Sequence, residues 1–427
     1  MHKEFDITLE NISKTEGHTD LDIKVRNGEV VSAKLKIAEN KRFYTQAIRG
    51  KYYESVPQLV SRICGTCSVA HLTCCLEAVE KALNIKPSPQ TMMLRQLNMY
   101  GLMVRDHAMH LYLFCLPDVL GKDSVFEFEG KDKELIHRAL HVKGAGNLLC
   151  KMIGGRAIHA TELRVGGFSS YPKKDKITRV IEELKENRPH VVELIDIFYN
   201  CDFKLKREID FVSLVTPDFS FLEGEVRNSK GLCIPESHYW EHLNRIVKPY
   251  SQATGFEFEG HEYMVGAISR MNNNKSSLHP DTKKDVAKAL RKFPSKNIFD
   301  NNLAQAIEIL HSIDKSIEML ETMEIKQEKQ PKIELKDCNG VGCIEAPRGT
   351  LYYMLSIAKT GNVKYGDIIT PSQQNQVGME NDIKAIIPTI LDKTEDEIRI
   401  EVEKIIRAYD PCMSCASHFL KINWDKS

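Results

Sequence analysis

Two Cys-x-x-Cys pairs stand near opposite ends of this 427-residue chain: Cys64 and Cys67 in Arg62-Ile-Cys-Gly-Thr-Cys, and Cys412 and Cys415 in Asp410-Pro-Cys-Met-Ser-Cys. Such a turn aims both sulfurs at one point, and thiolates suit nickel, zinc, copper(I) and iron-sulfur chemistry. Structural zinc is the plain reading of four thiolates, but zinc ribbons keep their pairs roughly 15–20 residues apart. Here about 345 residues intervene, so the spacing predicts a buried site that the whole chain must assemble. A disulfide framework fits less well. The start, Met1-His-Lys-Glu-Phe-Asp, is too polar for a secretory leader, and eight further cysteines follow no framework spacing.

With 42% hydrophobic residues and formal net charge zero, the chain can form a deep core. It has no long basic run to grip phosphate, so nucleic acid is not expected as a partner, and no stretch reaches the roughly 18–20 apolar residues of a membrane span. A cytoplasmic location is expected. The pattern predicts an α+β, mostly α fold: a long-helix bundle with small antiparallel sheets, residues 1–427 acting as one unit. Alternation over Leu21–Ile37 around Asn27-Gly28 predicts an N-terminal hairpin, with Glu16 just ahead of it. Ser88-Pro89 starts a long helix predicted to stop before Pro117, with Tyr100, Met103, His107, Leu111 and Phe114 on its core face. Further helices are predicted after Val56-Pro57, from Ala70 to Leu83, and near 132–151, 175–198, 282–293, 302–323 and 382–408. The charged run Ile325–Asp337, with Pro331, reads as a solvated connection.

The surroundings of the cysteines narrow the choice of metal. In order along the chain come Glu16-Gly-His, the first pair leading to His71, Gly154-Gly-Arg-Ala-Ile-His159, Gly166-Gly-Phe168, Val265-Gly-Ala-Ile-Ser-Arg270, Glu345-Ala-Pro-Arg-Gly349, Thr370-Pro371 and Arg407-Ala-Tyr-Asp-Pro-Cys412. Together these resemble the large subunit of a nickel-iron hydrogenase, nearly end to end. The resemblance implies reversible heterolytic cleavage of dihydrogen, with Cys64 and Cys412 terminal on nickel and Cys67 and Cys415 bridging nickel and iron. It also implies carbon monoxide and cyanide on the iron, installed by maturation proteins. Arg348 would stand over the open metal position, Asp118 and Asp410 would hold it, and Glu16 would take a proton from Cys412. His71 would hydrogen-bond a cysteine sulfur, and Thr370-Pro371-Ser372 would bind a cyanide, with Ser372 supplying the hydroxyl. The bland readings are a surface ion pair for Arg348, a solvated loop for Glu16, plain turns for Asp118, Asp410 and the 370–372 segment, and helix packing for His71.

The sequence departs from the family pattern in places. Thr45 in Arg42-Phe-Tyr-Thr stands where an acidic ligand, with His418, would hold a separate magnesium or iron ion, and a hydroxyl is the weaker oxygen ligand. Ala160 replaces a proline, and Tyr353 a histidine. Residues 419–427 resemble an extension removed by a maturation protease after nickel insertion. Cys338-x4-Cys343 is too loose to indicate another metal, and no cysteine run resembles an iron-sulfur site. Electrons would therefore leave through an iron-sulfur small subunit and further electron-transfer or diaphorase subunits. Val265-Gly-Ala-Ile-Ser-Arg270 and the run from Asn302 to Glu308 look most like the soluble sulfhydrogenase or NAD(P)-linked branch, with deazaflavin-linked relatives close behind. Two other classes compete: a hydrogen-sensing subunit, and a non-catalytic respiratory-complex relative, which would lack the cysteines.

Overall fold

The computed structural model of the protein describes residues 4–38 and 43–417. His418 and residues 419–427 lie outside them. The N-terminal hairpin forms as predicted, Thr19–Arg26 against Glu29–Ile37. Asn27 and Gly28 both take positive φ (55° and 81°), the geometry that matches a two-residue turn to strand twist. Leu21, Ile23, Val25 and Leu35 point into the core. A strand the sequence reading missed, Phe5–Leu9, pairs with Thr19–Arg26, so Glu16 lies between two strands rather than ahead of the sheet.

Helices dominate, and several differ from expectation for identifiable reasons. Pro89–Met109 begins as expected, with Ser88 Oγ accepting the Thr91 N–H at 3.0 Å. It does not stop before Pro117. A π-helical turn, His110–Cys115, leads into Leu116–Val119. Pro117 thus lies inside a continuous helical run, where its ring and missing N–H interrupt the regular hydrogen-bond ladder next to the π turn. The predicted 282–293 helix is two short ones, Pro280–Asp285 and Ala287–Leu290. The predicted 382–408 helix is likewise two, Pro371–Ile386 and Glu395–Ala408. Pro388 lies between these, and Thr394 caps the second with its Oγ1 accepting from Glu397 N at 3.3 Å. The 325–337 run has no regular structure but is tied down rather than simply solvated. Ser88 Oγ and Thr91 Oγ1 donate to Glu328 (2.7 and 3.3 Å), and Ile325, Ile333 and Leu335 pack on the core.

The element that positions the site is an unforeseen three-stranded antiparallel sheet, Cys338–Ala346, Gly349–Ile357 and Val363–Ile369. Its first strand lies against the Ser68–Leu83 helix that follows the first cysteine pair. Two glycines permit this approach: a Cβ on Gly340 would lie 2.2 Å from the Ala78 carbonyl oxygen, and one on Gly342 2.1 Å from that of Cys74. One apolar cluster runs from Ile7 through this interface to Cys415.

Gly342→Ala should therefore destabilise the protein by about 1–3 kcal/mol through overpacking. Gly144→Ala, in the Lys133–Gly154 helix with open space at the Cβ position, should be neutral or stabilising. Denaturant unfolding of both variants checks the contrast, and equal stability would show that the helix–sheet contact yields.

Candidate metal centre

Each pair uses the same local design. Cys64 is extended after the short helical turn Ser61–Ile63, and Cys67 precedes the Ser68–Leu83 helix. Cys412 is extended before the one-turn helix Met413–Ala416, which contains Cys415. The four ligand sulfurs lie within 4.8 Å of one another, all buried. Cys64 and Cys412 are 3.3 Å apart, Cys67 and Cys415 3.2 Å, and Cys412 and Cys415 3.0 Å.

The donor set itself tests what belongs there. Burial, then the neighbouring sulfurs, push the Cys412 thiol far above its usual range, and burial does the same to Cys415. A single guanidinium cannot balance four thiolates in so dry a place, so the cage fits a soft metal that displaces the protons. A small cavity of about 10 Å³ adjoins it, lined by Cys67, His71, Ala346, Pro347, Arg348, Leu351, Pro371, Ser372, Cys412 and Cys415.

The chain closes on itself here. Glu16 pairs with Cys412 in an isolated parallel bridge, and its carbonyl accepts the Met413 N–H at 2.8 Å. Glu16 Oε2 sits 2.8 Å from Cys412 Sγ, and Oε1 accepts from Ser414 Oγ at 2.9 Å. Burial, followed by the charge of Cys64, raises its pKa against the opposing Cys412 bond, Arg348 charge and Ser414 bond.

Arg348 is 3% exposed. Its Nη1 donates to Asp106 Oδ2 at 2.9 Å, and Nη2 stands 3.1 Å from Asp410 Oδ1. Nε and Nη2 have no aligned hydrogen-bond acceptor among the described residues, so this cation on the cavity wall keeps donor capacity. Burial opposes its charge, but Asp106 and Asp410 outweigh that and hold it ionised. Asp410, at φ 50°, also accepts from Gln305 at 2.9 Å.

The expectation that Asp118 holds Arg348 is corrected. Its carboxylate binds Arg407 bidentately at 2.6 and 2.9 Å and accepts from Lys14 at 2.7 Å. Arg407 also binds Glu403 and the Ser13 carbonyl (2.9 and 3.3 Å), so Asp118 fastens the loop before Glu16 to the helix before Cys412. Asp106 takes the place foreseen for it. The signal was a charged side chain inside an otherwise apolar helical stretch. Thr370 is also corrected: its N–H and hydroxyl both go to Gln373 Oε1 (3.0 and 3.2 Å) at a helix start, and it does not line the cavity. Pro371 and Ser372 do. Ser372 Oγ accepts the Cys412 N–H at 2.8 Å, leaving its own hydrogen to donate.

Sequence reasoning also missed a support beneath Arg348. Buried Arg270 donates twice to Glu308 (2.7 Å each), to Glu345 at 2.7 Å, and to the carbonyls of Ala346 and Pro347 at 3.0 and 2.9 Å. His107 Nε2 lies 2.9 Å from Glu308. Burial opposes ionisation of Glu308, but the Arg270 charge and bonds bring its pKa below the usual range. Arg105 donates to the Thr66 carbonyl, inside the first cysteine turn. His71 Nε2 lies 3.4 Å from Cys415 Sγ. Thr45 is partly buried at the start of the Tyr44–Ala47 helix; its proposed partner His418 falls outside the described residues.

Comparison with known proteins bears on this geometry. The family described as nickel-dependent hydrogenase matches residues 44–134 and 228–418. The chain is 34% identical to sulfhydrogenase 1 subunit alpha of Pyrococcus furiosus, over 97% of this chain and 98% of that one. It is 31% identical to sulfhydrogenase 2 subunit alpha of the same organism, over 97% and 100%. A solved NAD+-reducing NiFe-hydrogenase in the H2-reduced state has the same fold, with TM-score 0.86 and 24% identity over 97% of this chain and 99% of that one.

Asp118→Asn should leave Arg407 buried beside one lost carboxylate and cost about 3–5 kcal/mol, as breaking a buried pair does. Urea unfolding measures it; a loss under about 1 kcal/mol would mean that Glu403 and solvent suffice for Arg407.

Proposed function

This chain belongs to the nickel-dependent hydrogenase family as its catalytic large subunit, an oxidoreductase acting on dihydrogen at a nickel-iron centre, and we propose that its own residues divide that work as follows. Cys64, Cys67, Cys412 and Cys415 would hold the centre through their four sulfurs. When bound there, the centre supplies heterolytic cleavage of dihydrogen and acceptance of its electrons. The observation that carries the proton half is the 2.8 Å contact between Glu16 and Cys412 Sγ. Glu16 accepts the proton from that sulfur at Oε2 and, because burial favours its neutral form, carries it without holding a full charge beside the cage. Arg348 lines the cavity and steadies negative charge there, itself held by Asp106 and Asp410. Pro371 and the Ser372 hydroxyl line the wall suited to carbon monoxide and cyanide on iron.

Among the described residues no cysteine run offers an iron-sulfur site, and no helix is long and apolar enough to cross a membrane. Electrons therefore pass to an iron-sulfur small subunit. The resemblance to sulfhydrogenase and NAD-reducing large subunits supports onward transfer through further subunits to NAD(P) or another small acceptor, in the cytoplasm.

Metal analysis and infrared spectroscopy of the purified complex should find nickel with sharp carbonyl and cyanide bands; zinc without such bands would return the cage to a structural role. Glu16→Gln should keep metals and bands yet lose hydrogen-isotope exchange with solvent, and exchange at the wild-type rate would remove Glu16 from the proton route. Asp106→Asn should keep its nickel while hydrogen turnover falls roughly 10- to 100-fold, as for groups that orient a metal site's immediate neighbours. Unchanged turnover would leave Asp410 as the sole positioning carboxylate.

A further inference from the structure

His71 lies between the sulfur cage and a phenol. Its Nε2 stands 3.4 Å from Cys415 Sγ and its Nδ1 2.7 Å from the Tyr353 hydroxyl. The two rings meet edge to face at 74°, with centroids 6.0 Å apart, and both side chains are buried. His71 sits one turn past Cys67 on the Ser68–Leu83 helix. Tyr353 lies on the middle strand, Gly349–Ile357, paired with Gly342. That glycine lets the sheet lie against the helix, so the phenol–imidazole distance is set by the closest backbone packing near the site.

Counting hydrogens selects one arrangement. A neutral imidazole carries one N–H and one lone pair. With the hydrogen on Nδ1, the ring donates to the phenol oxygen. The phenol hydrogen then has no other acceptor in reach among the described residues, and the Nε2 lone pair faces a thiolate that also offers only lone pairs. A doubly protonated ring strands the phenol hydrogen in the same way. With the hydrogen on Nε2, Tyr353 donates to Nδ1, His71 donates to Cys415, and each hydrogen meets an acceptor. Unmatched buried polar groups are the costlier alternative.

We propose that Tyr353 is a positioning residue for the metal centre: its hydroxyl fixes His71 in the Nε2–H tautomer and thereby keeps a hydrogen bond on the Cys415 sulfur. This rests on the nickel-iron reading above. A hydrogen bond draws electron density from a thiolate and so from any metal it would hold, which would let Tyr353 tune the centre without touching it.

Tyr353→Phe keeps the packing ring and removes only the donor. The variant complex should load nickel as wild type does, with turnover reduced roughly 10- to 100-fold. Its carbonyl band should move to lower wavenumber as the sulfur regains electron density, and pulsed EPR on enzyme with 15N-labelled histidine should show a weakened Nε2 coupling to the metal spin. Wild-type protein with neither nickel nor carbonyl and cyanide bands would overturn the metal-centre reading itself. A loaded Tyr353→Phe enzyme with wild-type bands and wild-type coupling would overturn only the Tyr353 assignment. So would a folded variant that binds no nickel, because a tuning contact does not hold the metal.

Discussion

Four thiolates drawn from sequence positions 64 to 415 meet within 4.8 Å in the interior, and this concentration of charge governs what surrounds it. Buried anions persist only where cations and fixed donors offset the loss of water. A soft metal in the cage would meet that demand, together with Arg348 on one wall and hydrogen bonds to individual sulfurs. Thr66 lies 3.0 Å from Cys64 Sγ, Glu16 reaches Cys412, and His71 reaches Cys415. The first contact is local to its turn, but Glu16 and His71 reach the C-terminal pair from the other end of the chain, so only the folded chain presents the complete cage.

The same demand propagates outward as alternating charge. Arg348 is held by Asp106 and Asp410, while Glu345, three residues before Arg348, is held by Arg270, itself bound to Glu308 beside His107. One helical stretch supplies several of these groups. Arg105 fixes the first cysteine turn, Asp106 meets Arg348, and His107 meets Glu308. Beyond the π turn begun at His110, Asp118 clamps Arg407. Buried networks of this kind add little net stability, but loss of one member strands the others. Their role here is positional.

The ligand cysteines, the Asn27-Gly28 hairpin and the helical bulk were legible in the sequence, because each announces itself within a few residues. Glu16 and Arg348 were also singled out through their motifs, and both stand beside the cage. Asp118 was matched to the wrong partner: a carboxylate after a helix exit is visible, but which of two arginines it meets depends on how the Glu395–Ala408 helix packs. The sheet from Cys338 to Ile369 was missed because its strands are largely buried on both faces: the last five residues of the first strand and the first five of the second are all buried.

The sequence by itself determined the ligand type, the need for a chain-wide site and the chemistry of its immediate neighbours, because these follow from residue identity and short spacing. Tertiary structure alone decided which carboxylate holds Arg348, that Ser372 lines the cavity, and that Tyr353 meets His71. Those outcomes turn on how segments far apart in sequence pack against one another. Such packing is set by close backbone approach, as at Gly340 and Gly342, and no local pattern of residues encodes it.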